Sequence, residues 1–268
     1  MPMYDLLIGL RVYPGISKKP ILKGSKVDTF GKVYFSILNS TQSLNAKIVI
    51  FSDGCGIEFH EMIENMTPER YDLEIIRVDC FSGPKSFKKQ YDYLSASDAK
   101  LVALLEDDYL LDVGALDSVF KYAASQGFKN YYTFFNSSDY YTHDLHDYKS
   151  KIIYFDGDYW RTVASTTFTF LCSPATLKKN YVFFRTYSIG NFDHNIWALQ
   201  TKLGWWCLLV SIFKKPSVNN FKRLLKFFLT LLLLSPLVFS RRENLWVCIP
   251  GKGTHLETLG CSFEYRPE

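Results

Sequence analysis

A run of apolar residues that ends in three acids constrains this chain more than any other feature of its sequence. Residues 101–105 (LVALL) are short, continuous and apolar, which predicts a strand covered on both faces of a parallel sheet. Glu106, Asp107 and Asp108 follow directly. Neighbouring carboxylates repel one another and lose hydration when buried, so they favour a cation or a basic partner. Open α/β sheets bind ligands at the carboxyl ends of their strands, so this edge is the first candidate site.

The sequence before the acids predicts a ligand-binding half-domain of alternating strands and helices. Strand and helix patterns alternate in the order 4–12, 27–44, 46–52, 57–66 and 73–78. Strand, helix and strand in this order imply right-handed crossovers and parallel pairing. We therefore predict an α/β fold with a mixed, mainly parallel sheet flanked by helices, and a half-domain over residues 1–111.

Composition restricts the class of partner. The chain has 268 residues, of which 47% are hydrophobic and 22% charged, so a globular fold with a large core is expected. A net charge of +4 suits anionic partners such as phosphates or lipid headgroups and does not indicate nucleic acid. The six cysteines show no metal spacing, and the N-terminus shows no secretory pattern, which favours reduced thiols in the cytosol.

Further candidate ligand residues lie near the predicted strand ends. Arg11 ends the first strand, and Asp53 follows the second, where it either accepts hydrogen bonds from a ligand or forms an Asx-turn into Gly54. Lys85 and Lys88 lie in a Gly-Pro loop that binds a diphosphate or forms a solvated helix face. Hard oxygen ligands such as the three acids suit Mg²⁺ or Mn²⁺ bound to phosphates.

Two later stretches also carry candidate residues. Asp193 stands at the start of a predicted helix in residues 190–199, as a helix cap or as a base. An apolar strand near residue 245 leads into a glycine-flanked loop that contains Lys252 and His255. The β-branched and aromatic alternation within residues 162–172 predicts a strand.

Residues 203–242 differ in composition from the rest of the chain. Residues 227–239 carry no charge, but as a helix they would span about 20 Å, whereas a bilayer core measures about 30 Å. Basic residues flank this run at Lys222, Arg223 and Lys226, and at Arg241 and Arg242. The pattern predicts a segment lying in the headgroup region of an anionic membrane, with a buried core helix or a true span as alternatives.

The ordered set of motifs resembles nucleotide-sugar-dependent glycosyltransferases of the GT-A fold, similar to family 2, whose DXD-type motif stands here as Glu106-Asp107-Asp108. The resemblance implies one catalytic domain over residues 1–268. Residues 1–111 would bind the nucleotide-sugar, residues 112–202 and 243–268 the acceptor, and residues 203–242 would be an apolar helical insert that associates with the membrane.

The resemblance also implies roles for the candidate residues. Glu106, Asp108 and His255 would hold Mn²⁺ or Mg²⁺, and Asp193 would be the general base. The nucleoside diphosphate would contact Arg11, Asp53, Lys85, Lys88, Asp107 and Lys252. The motif begins with Glu rather than Asp, which leaves open which carboxylates bind the metal, with Asp108 the first choice.

The implied activity is transfer of a sugar from a nucleoside diphosphate sugar to a hydroxyl of a glycan or lipid-linked acceptor, with inversion, in cell-surface polysaccharide synthesis. The implied location is cytoplasmic, with peripheral attachment to the inner face of the membrane. Two alternatives remain open. A nucleotidyltransferase would also use a β/α nucleotide domain with acids, and a non-catalytic membrane-docking module would keep the fold and the apolar segment without metal-dependent nucleotide binding.

Overall fold

The computed structural model describes residues 3–15, 22, 24–214, 217–240 and 242–256. Arg241 of the predicted basic flank and residues 257–260 of the predicted late loop lie outside this part. The strands are β1 (Leu6–Val12), β2 (Ala46–Ser52), β3 (Asp72–Arg77), β4 (Leu101–Glu106), β5 (Tyr109–Leu111), β6 (Tyr131–Thr133), β7 (Ile152–Phe155), β8 (Asp158–Val163), β9 (Phe170–Cys172), β10 (Leu245–Ile249) and β11 (Gly253–His255).

The helices follow the strands of the first half in alternation and then cluster in the second half. They are α1 (Lys26–Ser40), α2 (Ile57–Met66), α3 (Gly83–Ser95), α4 (Ala115–Ser125), α5 (Asp139–Thr142), α6 (Pro174–Ser188), α7 (Asp193–Thr201), α8 (Trp205–Lys214), α9 (Val218–Leu233) and α10 (Ser235–Ser240). A 3₁₀ turn covers Asp144–His146. The helix predicted over residues 27–44 ends at Ser40 in the structure, four residues earlier than predicted.

One large sheet joins the two halves of the chain, in the strand order β3-β2-β1-β4-β9-β6-β10-β8-β7. The strands β3, β2, β1 and β4 pair in parallel, so their carboxyl ends meet at one edge. The strand β9 then pairs antiparallel with β4 and β6, and β8 pairs antiparallel with β10 and β7. The predicted α/β fold with a mixed sheet flanked by helices is confirmed, but the sheet is not mainly parallel. The second half adds one parallel pair, β6 with β10, and its other pairings are antiparallel.

Helices cover both faces of the sheet, as the apolar strands require. In β1, Leu6, Ile8 and Leu10 face a core built with α1, α2 and α4. Leu7 faces the opposite core, which includes residues of α3, α6 and α7. Because β1 and β4 are covered on both sides, their sequences are almost continuously apolar rather than alternating, whereas the edge strands β3 and β7 are partly exposed.

The single strand predicted over residues 162–172 is wrong. The strand β8 ends at Val163 and β9 begins at Phe170, and the intervening residues are irregular. The polar side chains of this stretch bind other elements: Ser165 Oγ lies 3.1 Å from His194 Nδ1, and Thr169 Oγ1 donates to Glu106 Oε2 at 3.3 Å. These bonds place the stretch beside the candidate site instead of in the sheet.

The apolar segment 203–242 forms the helices α8, α9 and α10 in its described part. One side of these helices belongs to the core, where Leu208, Phe227 and Val238 are buried. The other side is exposed, with Leu232 at 75% and Leu233 at 78% of full exposure. None of the described helices is long and apolar enough to cross a bilayer.

Candidate active site

Glu106 is held by a buried arginine at the carboxyl end of β4. Arg11 is its register partner on β1, and Arg11 Nη2 donates to Glu106 Oε1 at 2.5 Å. The second oxygen accepts the hydroxyl of Thr169. Burial raises the pKa of Glu106, and the nearby Arg11 charge opposes that rise. Both oxygens of Glu106 therefore have protein partners, and its role as a metal ligand stays a prediction.

Asp107 is held by the start of α1. Its Oδ2 accepts the backbone N–H of Tyr13 at 2.9 Å and lies 3.0 Å from Lys26 Nζ. Burial raises the pKa of Asp107 to about 6, against the opposing Lys26 charge. Lys26 is the first residue of α1, whose N-terminus is fixed by a capping box between Ser25 and Asp28.

Asp108 is the member of the triplet with a buried carboxylate oxygen that has no partner among the described residues. Its Oδ2 lies 2.9 Å from His255 Nε2, whereas its buried Oδ1 has no hydrogen-bond partner within the described residues. A two-stranded antiparallel sheet of β5 and β11 brings His255 opposite Tyr109, and Leu256 N donates to Asp108 O. The sequence thus predicted the proximity of Asp108 and His255 correctly, although the small sheet that creates it was not foreseen.

The donor set fits a cation shared with phosphate oxygens. Within the described residues, no group of three or more His, Cys, Asp or Glu side chains is arranged to hold a metal. Asp108 and His255 offer one carboxylate and one imidazole, and a buried carboxylate oxygen without a partner favours a cation. Mg²⁺ sites commonly take one or two carboxylates and complete their coordination with substrate phosphates and water. An imidazole ligand suits Mn²⁺ better.

The three acids lie in a cleft of about 390 Å³ that we call the acidic cleft. The other residues that line it are Arg11, Val12, Tyr13, Gly15, Lys26, Asp53, Phe81, Ser82, Gly83 and Ser86. Two cations and a glycine-bearing helix start therefore share one opening with four carboxylates, those of the triplet and of Asp53. Asp53 Oδ1 accepts the backbone N–H groups of Cys80 and Phe81, so this oxygen joins two loops and does not form the predicted Asx-turn into Gly54.

Three lysines predicted to contact a diphosphate lie outside the lining of the acidic cleft. Lys88 pairs with Asp92 on the solvent side of α3, and Lys85 is on the first turn of the same helix. Lys252 Nζ lies 2.9 Å from Asp158 Oδ2. In the structure, Lys26 is the lysine that lines the cleft and approaches the triplet. Nothing local in the sequence marks it, because its partner is 81 residues further along the chain.

Asp193 lines a second cavity, of about 220 Å³, which we call the Asp193 cavity. Asp193 is the first residue of α7, and its Oδ1 accepts the N–H of His194 at 2.6 Å. Burial raises the pKa of Asp193, whereas the charge of Arg223 lowers it. A carboxylate with a raised pKa is a better proton acceptor at neutral pH than an exposed one.

Two histidines that line the Asp193 cavity, His146 and His194, are uncharged at neutral pH. Burial lowers the pKa of His194 to about 3 and the pKa of His146 to about 4. Their rings lie 6.0 Å apart, between centroids. His194 Nε2 and the hydroxyl of Thr166 are buried there without hydrogen-bond partners in the described part of the chain. The cavity therefore offers two neutral imidazoles and hydroxyl groups around two carboxylates, Asp139 and Asp193, and one guanidinium, Arg223.

The two cavities adjoin. Tyr109, which follows Asp108, places its hydroxyl 2.9 Å from the hydroxyl of Thr167, a lining residue of the Asp193 cavity. Phe135 lines the same cavity, and its ring centroid lies 6.0 Å from that of His255. Burial raises the pKa of Tyr187, the charge of Arg11 lowers it, and the charges of Glu106 and Asp193 raise it further. Tyr187 therefore lies within electrostatic range of an acid from each cavity.

Comparison with known proteins found no matching family model and no matching curated protein. The fold and the site define an α/β protein with an acidic cleft at the carboxyl ends of parallel strands. A buried carboxylate in an adjoining cavity completes the arrangement.

Proposed function

We propose that this chain is a metal-dependent glycosyltransferase that uses a nucleoside diphosphate sugar. The observation that carries the proposal is Asp108, which has one oxygen against His255 and one buried oxygen without a partner in the described structure. It lies at the carboxyl end of a parallel sheet, where α/β folds bind nucleotides. Arg11 and Lys26 line the same cleft and suit a diphosphate.

The chemistry needs a group that takes a proton beside the acidic cleft. Asp193 would accept the proton of the acceptor hydroxyl, whose oxygen bonds to the anomeric carbon as the bond to the diphosphate oxygen breaks. Attack from the face opposite the leaving diphosphate inverts the anomeric configuration. When bound, Mn²⁺ or Mg²⁺ would offset the negative charge that develops on the leaving diphosphate. Asp108 and His255 would hold that ion, and Glu106 remains a third candidate.

The remaining assignments are part of the same proposal. Asp53 and Asp107 would contact the nucleotide from the cleft wall, and Lys85, Lys88 and Lys252 would do so only after movement of their side chains. The acceptor would be a glycan or a lipid-linked molecule in cell-surface polysaccharide synthesis. The protein would work in the cytoplasm, attached peripherally to the inner face of the membrane, and nucleic acid is not a proposed partner.

Nucleotide-dependent thermal stabilisation tests the proposal. UDP, GDP, dTDP and CDP are each added with and without Mn²⁺ to the wild type, to Asp108→Asn and to the control Asp156→Asn, whose carboxylate pairs with Lys121 on the surface. A ligand at about 100 times its Kd stabilises the native state by roughly 2.7 kcal/mol. We expect one nucleotide to give a Mn²⁺-dependent shift that Asp108→Asn loses and Asp156→Asn keeps.

The same assay separates the alternatives. The four nucleoside triphosphates are added as a second panel, since a nucleotidyltransferase binds a triphosphate and releases diphosphate. A triphosphate that stabilises far more than its diphosphate would favour that activity. The absence of any Mn²⁺-dependent shift would contradict the glycosyltransferase and leave the non-catalytic docking module.

A further inference from the structure

The helices α8, α9 and α10 present a broad apolar face to solvent. Ten large apolar side chains between residues 206 and 239 are each at least 45% exposed. They are Trp206, Val218, Phe221, Leu225, Phe228, Leu229, Leu232, Leu233, Leu237 and Phe239. We call this set the apolar face. Exposed apolar patches of this breadth mark sites that bind another protein or a membrane.

The charge of the segment that carries the apolar face selects the partner. By sequence, residues 203–242 contain seven cationic residues and no Asp or Glu: Lys214, Lys215, Lys222, Arg223, Lys226, Arg241 and Arg242. Arg223 and Lys226 turn toward the body of the protein, where Arg223 lines the Asp193 cavity and Lys226 Nζ donates to Gly190 O. The exposed cations among the described side chains are Lys222 and Arg242. A second copy of the chain would bring the same positive charges against them. An anionic bilayer supplies the opposite charge and apolar depth together. The combination therefore fits a membrane surface rather than self-association.

The inner side of α9 reaches the Asp193 cavity. Phe227 and Thr230 are buried against the body of the protein, and Arg223, one turn before Phe227, lines the cavity. Arg223 lies over the ring of Phe192 at 5.5 Å, and its Nε is buried without a hydrogen-bond partner among the described residues. An α-helix is about 10 Å across, so this cavity lies within one helix diameter of the apolar face.

We propose that the acceptor is a sugar linked through a phosphate to a lipid, and that it reaches the Asp193 cavity from an anionic membrane on which the apolar face docks. Arg223 binds the phosphate, because a guanidinium pairs with two of its oxygens at once. The uncharged His194 and Thr166 are left to contact the acceptor's hydroxyl groups. The acids Asp139 and Asp193 line the same cavity, and Asp193 faces the reacting hydroxyl. This inference rests on the proposed function, which assigns Asp193 as the base.

Vesicle sedimentation tests the docking step. Wild type, Leu232→Ser/Leu233→Ser and the control Ile152→Ser are mixed with phosphatidylcholine vesicles with or without phosphatidylglycerol. Ile152 is 63% exposed on β7, away from the apolar face. We expect wild type and Ile152→Ser to sediment only with the anionic vesicles, and the double variant to bind about tenfold more weakly. Equal binding by the double variant, or a dimer in light scattering that this variant abolishes, would overturn the inference.

Farnesyl phosphate, farnesol and inorganic phosphate test the headgroup step by calorimetric titration. We expect farnesyl phosphate to bind at least about tenfold more tightly than either farnesol or inorganic phosphate. Arg223→Gln should lose this preference, and the neighbouring control Lys222→Gln, which alters an exposed cation, should keep it. The inference would be overturned if inorganic phosphate bound as tightly as farnesyl phosphate, or if Arg223→Gln kept the wild-type preference for farnesyl phosphate.

The Mn²⁺-dependent nucleotide shift, measured on the same variants, separates this inference from the proposed function. Its retention in Leu232→Ser/Leu233→Ser and Arg223→Gln, together with loss of lipid binding, supports both proposals. If the shift is present in wild type but lipid does not bind, only the lipid-linked acceptor is overturned. If the shift is absent from wild type, the proposed function fails, and the acceptor assignment fails with it.

Discussion

The ion pair between Arg11 and Glu106 joins the neighbouring strands β1 and β4 at their carboxyl ends, beside the acidic cleft. Arg11 is only 8% exposed, whereas the Glu106 side chain keeps 31% of its exposure, so removing the charge of Arg11 leaves a carboxylate that water reaches only in part. Replacing the arginine therefore costs more than the pair itself contributes, since an unpaired and partly buried charge is penalised.

We predict that Arg11→Gln lowers the free energy of unfolding by about 1–3 kcal/mol at pH 7. The double variant Arg11→Gln/Glu106→Gln should recover at least about half of this loss, because it leaves no unpaired charge. Urea denaturation of the two single variants and the double variant measures the coupling. Additive losses would show that the pair is not coupled in the folded protein.

The buried histidines of the Asp193 cavity give stability a pH dependence with a defined sign. The pKa of His194 is lowered from 6.5 to about 3 by burial. Between these values the unfolded chain binds the proton and the folded protein does not, so stability rises with pH up to about 6.5.

We predict that the His194→Asn variant has a shallower dependence of unfolding free energy on pH between about 4 and 6.5. One histidine contributes up to roughly 1.4 kcal/mol per pH unit in this window. Carboxylates titrate in both proteins, so the difference between the wild-type and variant slopes isolates His194. Guanidinium denaturation at half-unit pH steps measures it, and parallel curves would contradict the assigned burial.

The β5–β11 ribbon is the element that fixes His255, and Gly253 sets its distance from the core. A Cβ at Gly253 would overlap the ring of Phe134, which is fully buried and cannot retreat into solvent. The clash would push β11 away and carry His255 from Asp108.

We predict that Gly253→Ala destabilises the protein by about 1–3 kcal/mol and weakens Mn²⁺-dependent nucleotide binding. The matched control is Gly31→Ala on α1, whose Cβ would lie 3.2 Å from the flexible Met62 Sδ. That control should bind nucleotide normally. Thermal shift with and without Mn²⁺ measures both effects, and normal binding by Gly253→Ala would show that His255 is not needed.

The sequence predicted the elements whose pattern is set by burial alone. The strands β1, β2 and β4 were found because both of their faces are covered, which leaves nearly uninterrupted apolar runs. Residues 164–169 were wrongly assigned to a strand because their β-branched side chains suit either state, and bonds to His194 and Glu106 decided the outcome. The three-residue strands β5 and β11 are too short to show a period.

The candidate site was only partly predictable for a related reason. Asp108 and His255 were paired correctly from motif order. Lys26, Thr169 and Arg223 were not foreseen as site residues, because each reaches its place through packing between elements far apart in sequence. Lys252 was assigned to the nucleotide, but the structure places its ammonium group against Asp158.

At the scale of the whole molecule, the two halves share one sheet and two cores. The strand β9 of the second half pairs directly with β4, the strand that carries the acids. The helices α8 to α10 contribute buried residues to the same core as α3, α6 and α7. The apolar segment is therefore built into the domain and is not a detachable appendage, and it still leaves one face exposed.

Two adjacent phenylalanines on α9 differ in role, because one packs in the core and the other belongs to the exposed apolar face. Phe227 is 2% exposed and packs edge-on against Trp205, whereas Phe228 is 45% exposed on the apolar face. We predict that Phe227→Ala lowers the unfolding free energy by about 3–5 kcal/mol, while Phe228→Ala changes it by less than about 1 kcal/mol but weakens binding to anionic vesicles. Urea denaturation and vesicle sedimentation on the two variants measure the contrast. Because the substitutions are chemically identical and one residue apart, equal losses of stability would mean that α9 does not pack with the orientation described.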